Sequence, residues 1–291
     1  MDLETLHPDR VEEVFARHGA QSITFTDAGN NPVLEPAPGE TPMWRDMRIT
    51  GLFSADVDFN LLQDDMKASF DIDRLPAHDI STLEDRDWER EWLKDFGPMQ
   101  FGKRLWVLPG ESTVSDDAAV VVRLDPGLAF GTGTHATTAL CLEWLDGLSL
   151  QGKTMLDYGC GSGVLAIAAL KLGCHNAVAM DIDSQAVSAT QLNAARNDVD
   201  ARLSVFAHAA DITGEFDVVV ANILAGPLIE LAEQIAGHVN SGCLLALSGI
   251  LSEQVGEVLA AYRPWIEFDE AIEMEQGGQT WARLTGRRIE G

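Results

Sequence analysis

Apolar and polar positions divide the chain into two stretches of different rhythm. In the first 84 residues, Val11, Val14 and Phe15 recur at helical spacing, which predicts a short helix over 10–18 ended by Gly19. Residues 21–26 alternate as a strand, Asn30-Asn31-Pro32 marks a turn, and 35–42 is a Pro/Gly-rich loop. A strand over 48–54, a helix over 59–70 and a strand over 78–83 follow. That order predicts a small α+β, ferredoxin-like domain of the split β-α-β kind. Its first strand could come only from residues 1–6, so the expectation is a sheet trimmed or truncated at its start. Over 85–96, Trp88, Trp92 and Phe96 stand at i, i+4 and i+8, a charged helix whose aromatic stripe is expected to pack on a neighbouring domain, against the alternative of a docking surface. Gly97-Pro98 ends it, giving a linker helix over 85–100.

From residue 101 strand and helix patterns alternate. Strands are expected over 103–108, 118–124, 153–156, 177–180, 202–207, 216–223 and 243–248, and helices over 134–145, 164–172, 183–197, 227–239 and 252–262. The unbroken Val218-Val219-Val220 points to a strand buried on both faces. Two last strands, 265–274 and 279–285, close the chain as an antiparallel hairpin. Such alternation predicts an α/β fold with a doubly wound, mostly parallel sheet over 101–291.

Chemistry enters after the strand at 153–156, with Asp157-Tyr158-Gly159-Cys160-Gly161-Ser162-Gly163. A strand, a glycine loop, a helix, then a strand ending on a carboxylate, Asp181, is how an open parallel sheet builds a nucleoside site. Glycines let backbone and ligand approach closely, so Gly159 and Gly161 are candidate ligand contacts. Asp181 lies where its oxygens can accept from both ribose hydroxyls. The spacing G-x-G-x-G, with Leu165 and Ala166 where a dinucleotide fingerprint has its third glycine, suits S-adenosylmethionine, which has no pyrophosphate to cradle. Cys160 is expected to pack rather than react, since no activating partner is evident.

Two further segments converge on the same edge. The strand over 216–223 delivers Asn222, whose amide oxygen could hold an incoming amine or, alternatively, serve a helix cap or Asx-turn before Pro227. The stretch 125–138, rich in Gly and Thr, could close over a polar ligand, with Thr137 or Thr138 bonding a carboxylate and Phe130 excluding water. His135 is a candidate general base, against the plainer role of a structural hydrogen-bonder.

Charge narrows the partners. The net charge of −26 disfavours direct binding to nucleic acid and favours a basic protein. Residues 1–84 hold 17 acidic and 6 basic side chains, the densest negative charge, and that stretch lacks the glycine loop. No apolar stretch reaches membrane-spanning length. The four cysteines show neither C-x-x-C pairing nor metal-ligand spacing, which fits reduced residues in the cytoplasm and no metal site. Nothing in the pattern specifies an oligomer, and a monomer is plausible.

The segments 124–138, 156–163 and 220–228 closely resemble the hallmark motifs of the methyltransferases of ribosomal protein L11, the PrmA family. Phe-Gly-Thr-Gly-Thr-His and Asn-Ile-Leu-Ala-Gly-Pro-Leu are the specific runs, and likeness extends through Gly39-Glu40-Thr41 and Asp87-Trp88-Glu89-Arg90-Glu91-Trp92. The resemblance implies a seven-stranded class I methyltransferase domain behind a substrate-recognition domain (1–84). It implies repeated methylation of lysine ε-amino groups and the N-terminal α-amino group of that ribosomal protein, with S-adenosylmethionine held by Thr138, Gly159, Asp181 and Asn222. Rival readings are a methyltransferase of another protein or a small amine, a nicotinamide-dependent dehydrogenase, and a non-catalytic ribosome-assembly factor.

Overall fold

The computed structural model describes residues 1–29, 44, 46–82, 97–110, 112–124 and 133–290. Contacts separate two units, Met1–Arg86 and Asp87–Gly291. Residues 85–96 of the expected linker helix and residues 125–132 lie outside the described residues. Residues 97–98 are irregular, and Met99 and Gln100, expected in the linker, open a strand after Gly97-Pro98 ends any helix.

In the first unit, helix α1 (Pro8–Arg17) opens with Pro8, whose fixed φ suits a first helical turn. It buries Val11, Val14 and Phe15. Strands β1 (Ser22–Asp27) and β2 (Met47–Leu52) pair antiparallel. Helix α2 (Phe59–Phe70) starts where Asp58 accepts the main-chain N–H groups of Asn60 and Leu61. Both helices cover the hairpin over a core that includes Leu3, Ile49, Leu62 and Met66. The strand expected over 78–83 is absent from 78–82. Instead, His78 hydrogen-bonds through Nδ1 to the Pro76 carbonyl (2.8 Å) and through Nε2 to Gln63 (3.1 Å), and 78–82 are exposed, with no apolar face to bury. Among the described residues, the place of a further strand beside β2 is taken only by the chain start. Met1 exchanges main-chain hydrogen bonds with Ile49, Leu3 donates to Met47, and Asp2 bridges Arg48.

The second unit holds a small sheet of β3 (Met99–Phe101), β4 (Leu105–Pro109) and β5 (Val120–Leu124), in that order. Its main sheet is built from β6 (Thr154–Tyr158), β7 (Asn176–Met180), β8 (Leu203–Phe206), β9 (Phe216–Asn222), β10 (Val239–Leu251), β11 (Ile266–Phe268), β12 (Ile272–Gln276) and β13 (Gln279–Arg288). The spatial order is β11-β13-β10-β9-β6-β7-β8, with β12 following β11 along the same edge of β13. The two short strands act as one interrupted strand, so the sheet has seven strand positions. Only β13 runs against the rest.

Helices α3 (Ala136–Asp146), α4 (Val164–Lys171) and α5 (Ser184–Arg196) contribute to the apolar core on one face. On the other lie α6 (Ala225–Glu230), α7 (Ala232–Gly237) and α8 (Val255–Tyr262). Alternate residues of β9 divide between them, Val218 and Val220 to one core, Val219 and Ala221 to the other. The single helix expected over 227–239 is two helices, bent at Leu231 (φ −98°, ψ 12°), which seats both Leu228 and Ile235 in one core. The chain leaves β6 toward β7 and β8 on one side, and β9 and β10 lie on the other. A crevice between such halves, at the carboxyl ends of the strands, is where open α/β sheets bind ligands.

Candidate active site

The glycine loop joins β6 to α4. Gly159, Gly161 and Gly163 have φ of 81°, 53° and 79°, backbone that side-chain-bearing residues rarely adopt. Main-chain N–H groups of Gly159 and Cys160 both donate to the Met180 carbonyl (2.8 and 2.9 Å), which straps the loop to the end of β7. Gly163 is the N-cap of α4 and offers no side chain, so Asp157 supplies the missing acceptor. Its Oδ2 takes the N–H of Ala166 at 3.1 Å from within β6. Asp157 is fully buried and its Oδ1 has no hydrogen-bond partner; burial pushes the carboxyl up to about 7. Cys160 is buried with Sγ 3.3 Å from the Thr190 hydroxyl, and burial raises its thiol far above the reactive range.

Asp181 leaves the end of β7 facing this loop. Oδ2 accepts from Gly161 N–H at 2.9 Å and Oδ1 from Asp183 N–H at 3.0 Å. A carboxylate has about four acceptor positions, so each oxygen can still take a hydroxyl. Ile182 beside it is 87% exposed, an apolar side chain that a purine face would cover. In the sequence, the signal for this exposed position is an isoleucine between two aspartates just past a strand.

Across the crevice, Asn222 ends β9 and is half-buried. Its Nδ2 donates to the Thr138 hydroxyl at 3.3 Å, while α6 has Leu224 as its N-cap residue and no side-chain cap. The amide nitrogen is thus turned toward α3, which leaves the amide oxygen as an acceptor. Thr137 and Thr138 are both buried, but Thr137 Oγ1 lies 2.8 Å from His135 Nδ1. Thr138, accepting from Asn222, keeps its own O–H to donate. His135 also receives the Thr137 N–H as the N-cap of α3, and its ring meets Trp281 edge-on at 4.5 Å. Desolvation lowers its proton affinity. The structure therefore brings Gly159, Gly161 and Asp181 together, and Thr138 with Asn222, while Phe130 lies outside the described residues. Among the described residues no three His, Cys, Asp or Glu side chains gather to hold a metal ion.

A mostly parallel seven-position sheet with a glycine loop after β6 and a carboxylate after β7 defines a class I, S-adenosylmethionine-dependent methyltransferase. The sequence profile of the ribosomal protein L11 methyltransferase (PrmA) family matches residues 2–289, and the chain belongs to that family. It is 51% identical over 272 residues to the ribosomal protein L11 methyltransferase of Vibrio cholerae, covering 93% of this chain and 91% of that protein. The Klebsiella pneumoniae protein of the same description is 52% identical over 271 residues, again 93% and 91% of the two chains. Among solved structures, the ribosomal protein L11 methylase of Lactobacillus delbrueckii subsp. bulgaricus superposes with a TM-score of 0.59 at 30% identity, over 67% of this chain and 99% of that one.

Proposed function

We propose that this chain transfers methyl groups from S-adenosylmethionine to ribosomal protein L11, at lysine ε-amino groups and at the N-terminal α-amino group. One observation carries the chemical half of this reading: Gly161–Asp181 and Thr138–Asn222 lie at the carboxyl edge of one sheet. Family membership over residues 2–289 supports the substrate.

The residues fit the cofactor. Asp181 retains acceptor capacity for two ribose hydroxyls, Ile182 offers an apolar face to a purine, and the loop at Gly159 and Gly161 brings bare backbone close. Thr138 can donate its O–H to the ligand's carboxylate. When bound, S-adenosylmethionine supplies a methyl group on positively charged sulfur. The Asn222 oxygen accepts an N–H of the incoming amine and aligns its lone pair. A lysine amine has a reference pKa of ~10.4, so it must arrive neutral. Desolvation and a neighbouring positive charge both lower that value, which removes the need for a dedicated base. His135 is already engaged with Thr137 and Trp281 and serves structure.

The division of labour we favour is recognition by residues 1–84, a linker over 85–100 and catalysis by 101–291. The first unit has its own apolar core and a cavity of about 540 Å³ lined by Phe15, Phe53, Phe59, Met66 and Arg48. The net charge of −26 suits a basic ribosomal protein. The four cysteines are free, which fits a reducing cytoplasm, and no helix among the described residues is long and apolar enough to cross a membrane. The test is intact-mass spectrometry of purified L11 incubated with the protein and S-adenosylmethionine. Mass gains in methyl steps that map to lysines and the N-terminus are expected; binding of the cofactor with no gain would overturn the substrate.

A further inference from the structure

The start of α3 is held from a distant part of the chain. Gln276, the last residue of β12, uses both ends of its amide on backbone flanking His135. Nε2 donates to the Thr134 carbonyl at 2.8 Å, and Oε1 accepts the Ala136 N–H at 2.5 Å. Ala136 N–H is one of the first-turn donors that a helix leaves without an internal partner. The next strand adds Trp281 against the His135 ring. Two residues into the helix stands Thr138, whose hydroxyl meets Asn222. A continuous series of contacts therefore runs from the β12–β13 hairpin, through residues 134–136, to the pair that faces the ligand.

We propose that Gln276 is a positioning residue for methyl transfer, its amide setting the first turn of α3 and, through it, the Thr138 hydroxyl. This rests on the reading of Thr138 and Asn222 as cofactor contacts. The side-chain type is demanding. A carboxylate cannot donate to the Thr134 carbonyl, an ammonium cannot accept from Ala136, and asparagine is one methylene too short to span both groups. Gln276 is itself exposed, so replacing it spares the core.

The test is titration calorimetry of S-adenosylhomocysteine with the full-length protein and its variants Gln276→Ala, Gln276→Glu and Asp181→Ala. At pH 8, Gln276→Ala weakens binding roughly five- to tenfold, the scale of two partly exposed hydrogen bonds. Gln276→Glu weakens it at least as much, because its carboxylate faces a carbonyl oxygen. As pH falls through the glutamate's own titration, ~4.3 for an unperturbed side chain, the protonated glutamic acid regains a donor and an acceptor, so Gln276→Glu recovers affinity relative to wild type at the same pH and Gln276→Ala does not. A contact that merely stabilises the hairpin would lower the melting temperature with affinity unchanged. Wild-type affinity in both Gln276 variants, with Asp181→Ala weakened, would overturn the proposal. Wild-type affinity in Asp181→Ala as well would overturn the cofactor-site reading beneath it.

Discussion

A methyl group built on Gly159 would stand 2.2 Å from Cγ2 of Ile223, the residue after Asn222. The loop after β6 and the turn after β9 therefore touch where only a hydrogen fits. Gly159→Ala meets two penalties, left-handed backbone (φ 81°) at roughly 1–2 kcal/mol and overlap at roughly 1–3 kcal/mol. Ile223→Ala should relieve the second in a double variant and leave the first. Urea titrations of the two single variants and the double give the coupling; strict additivity would show that the overlap is absorbed elsewhere.

Asp181→Ala should weaken S-adenosylhomocysteine binding about 10- to 100-fold, the loss of charge-assisted bonds to hydroxyls. It also releases the N–H of Gly161. Asp181→Asn, which keeps one acceptor, should fall between alanine and wild type. Calorimetry measures the series, and an unchanged alanine variant would remove Asp181 from the site.

Replacing Asn222 by alanine removes the proposed seat for the amine. Turnover should drop on the order of 100-fold, with cofactor affinity changing far less. Single-turnover kinetics with L11 measures the first and calorimetry the second. Equal losses in both would make Asn222 a cofactor contact alone.

His135 hydrogen-bonds to Thr137 and caps α3, a task asparagine performs well. His135→Asn should keep turnover within about threefold of wild type, whereas losing a general base costs on the order of 10²–10⁴-fold. A loss of that size, with the fold intact by circular dichroism, would restore His135 as a base.

The raised Asp157 carboxyl, about 7 against ~3.9 in an unfolded chain, has a definite sign. The folded state holds the proton more tightly, so the stabilising contribution is complete below ~pH 4 and is lost as pH rises toward 7. Asp157→Asn keeps an acceptor for Ala166 N–H and does not titrate. Between pH 5 and pH 8 the stability difference should shift in favour of the asparagine variant by about 2–3 kcal/mol. Urea midpoints of both proteins at the two pH values decide it; a constant difference would mean that Asp157 stays ionised throughout.

Local signals were the readable ones. Helix α2 spans 59–70 as expected because Asp58 caps it, and β7 ends at Met180, with Asp181 just past it, because the apolar run stops there. The glycine loop announces itself through spacing alone. What failed depended on contacts that a linear pattern of apolar and polar positions does not encode. Residues 78–82 look strand-like, yet they carry no strand and His78 bonds back to Pro76. Helix 227–239 has continuous propensity, yet it bends at Leu231, where both Leu228 and Ile235 reach one core. Asp157 reads as the first residue of the glycine-loop motif after the strand over 153–156, and its service to α4 exists only once Ala166 folds back over it. Gln276 was invisible for the same reason, its partner Ala136 lying 140 residues away.

The interior position of β13 bears on when the sheet around the site is complete. This strand comes last in chain order, yet it lies between β10 and the edge formed by β11 and β12. A growing chain presents the glycine loop and Asp181 early, while the flank of β10 stays open and α3 lacks both Gln276 and Trp281. A chain that has not yet reached β13 therefore leaves β10 unpaired on that side and the start of α3 without these two partners, so the sheet around the site is completed only by residues far downstream of Asp181.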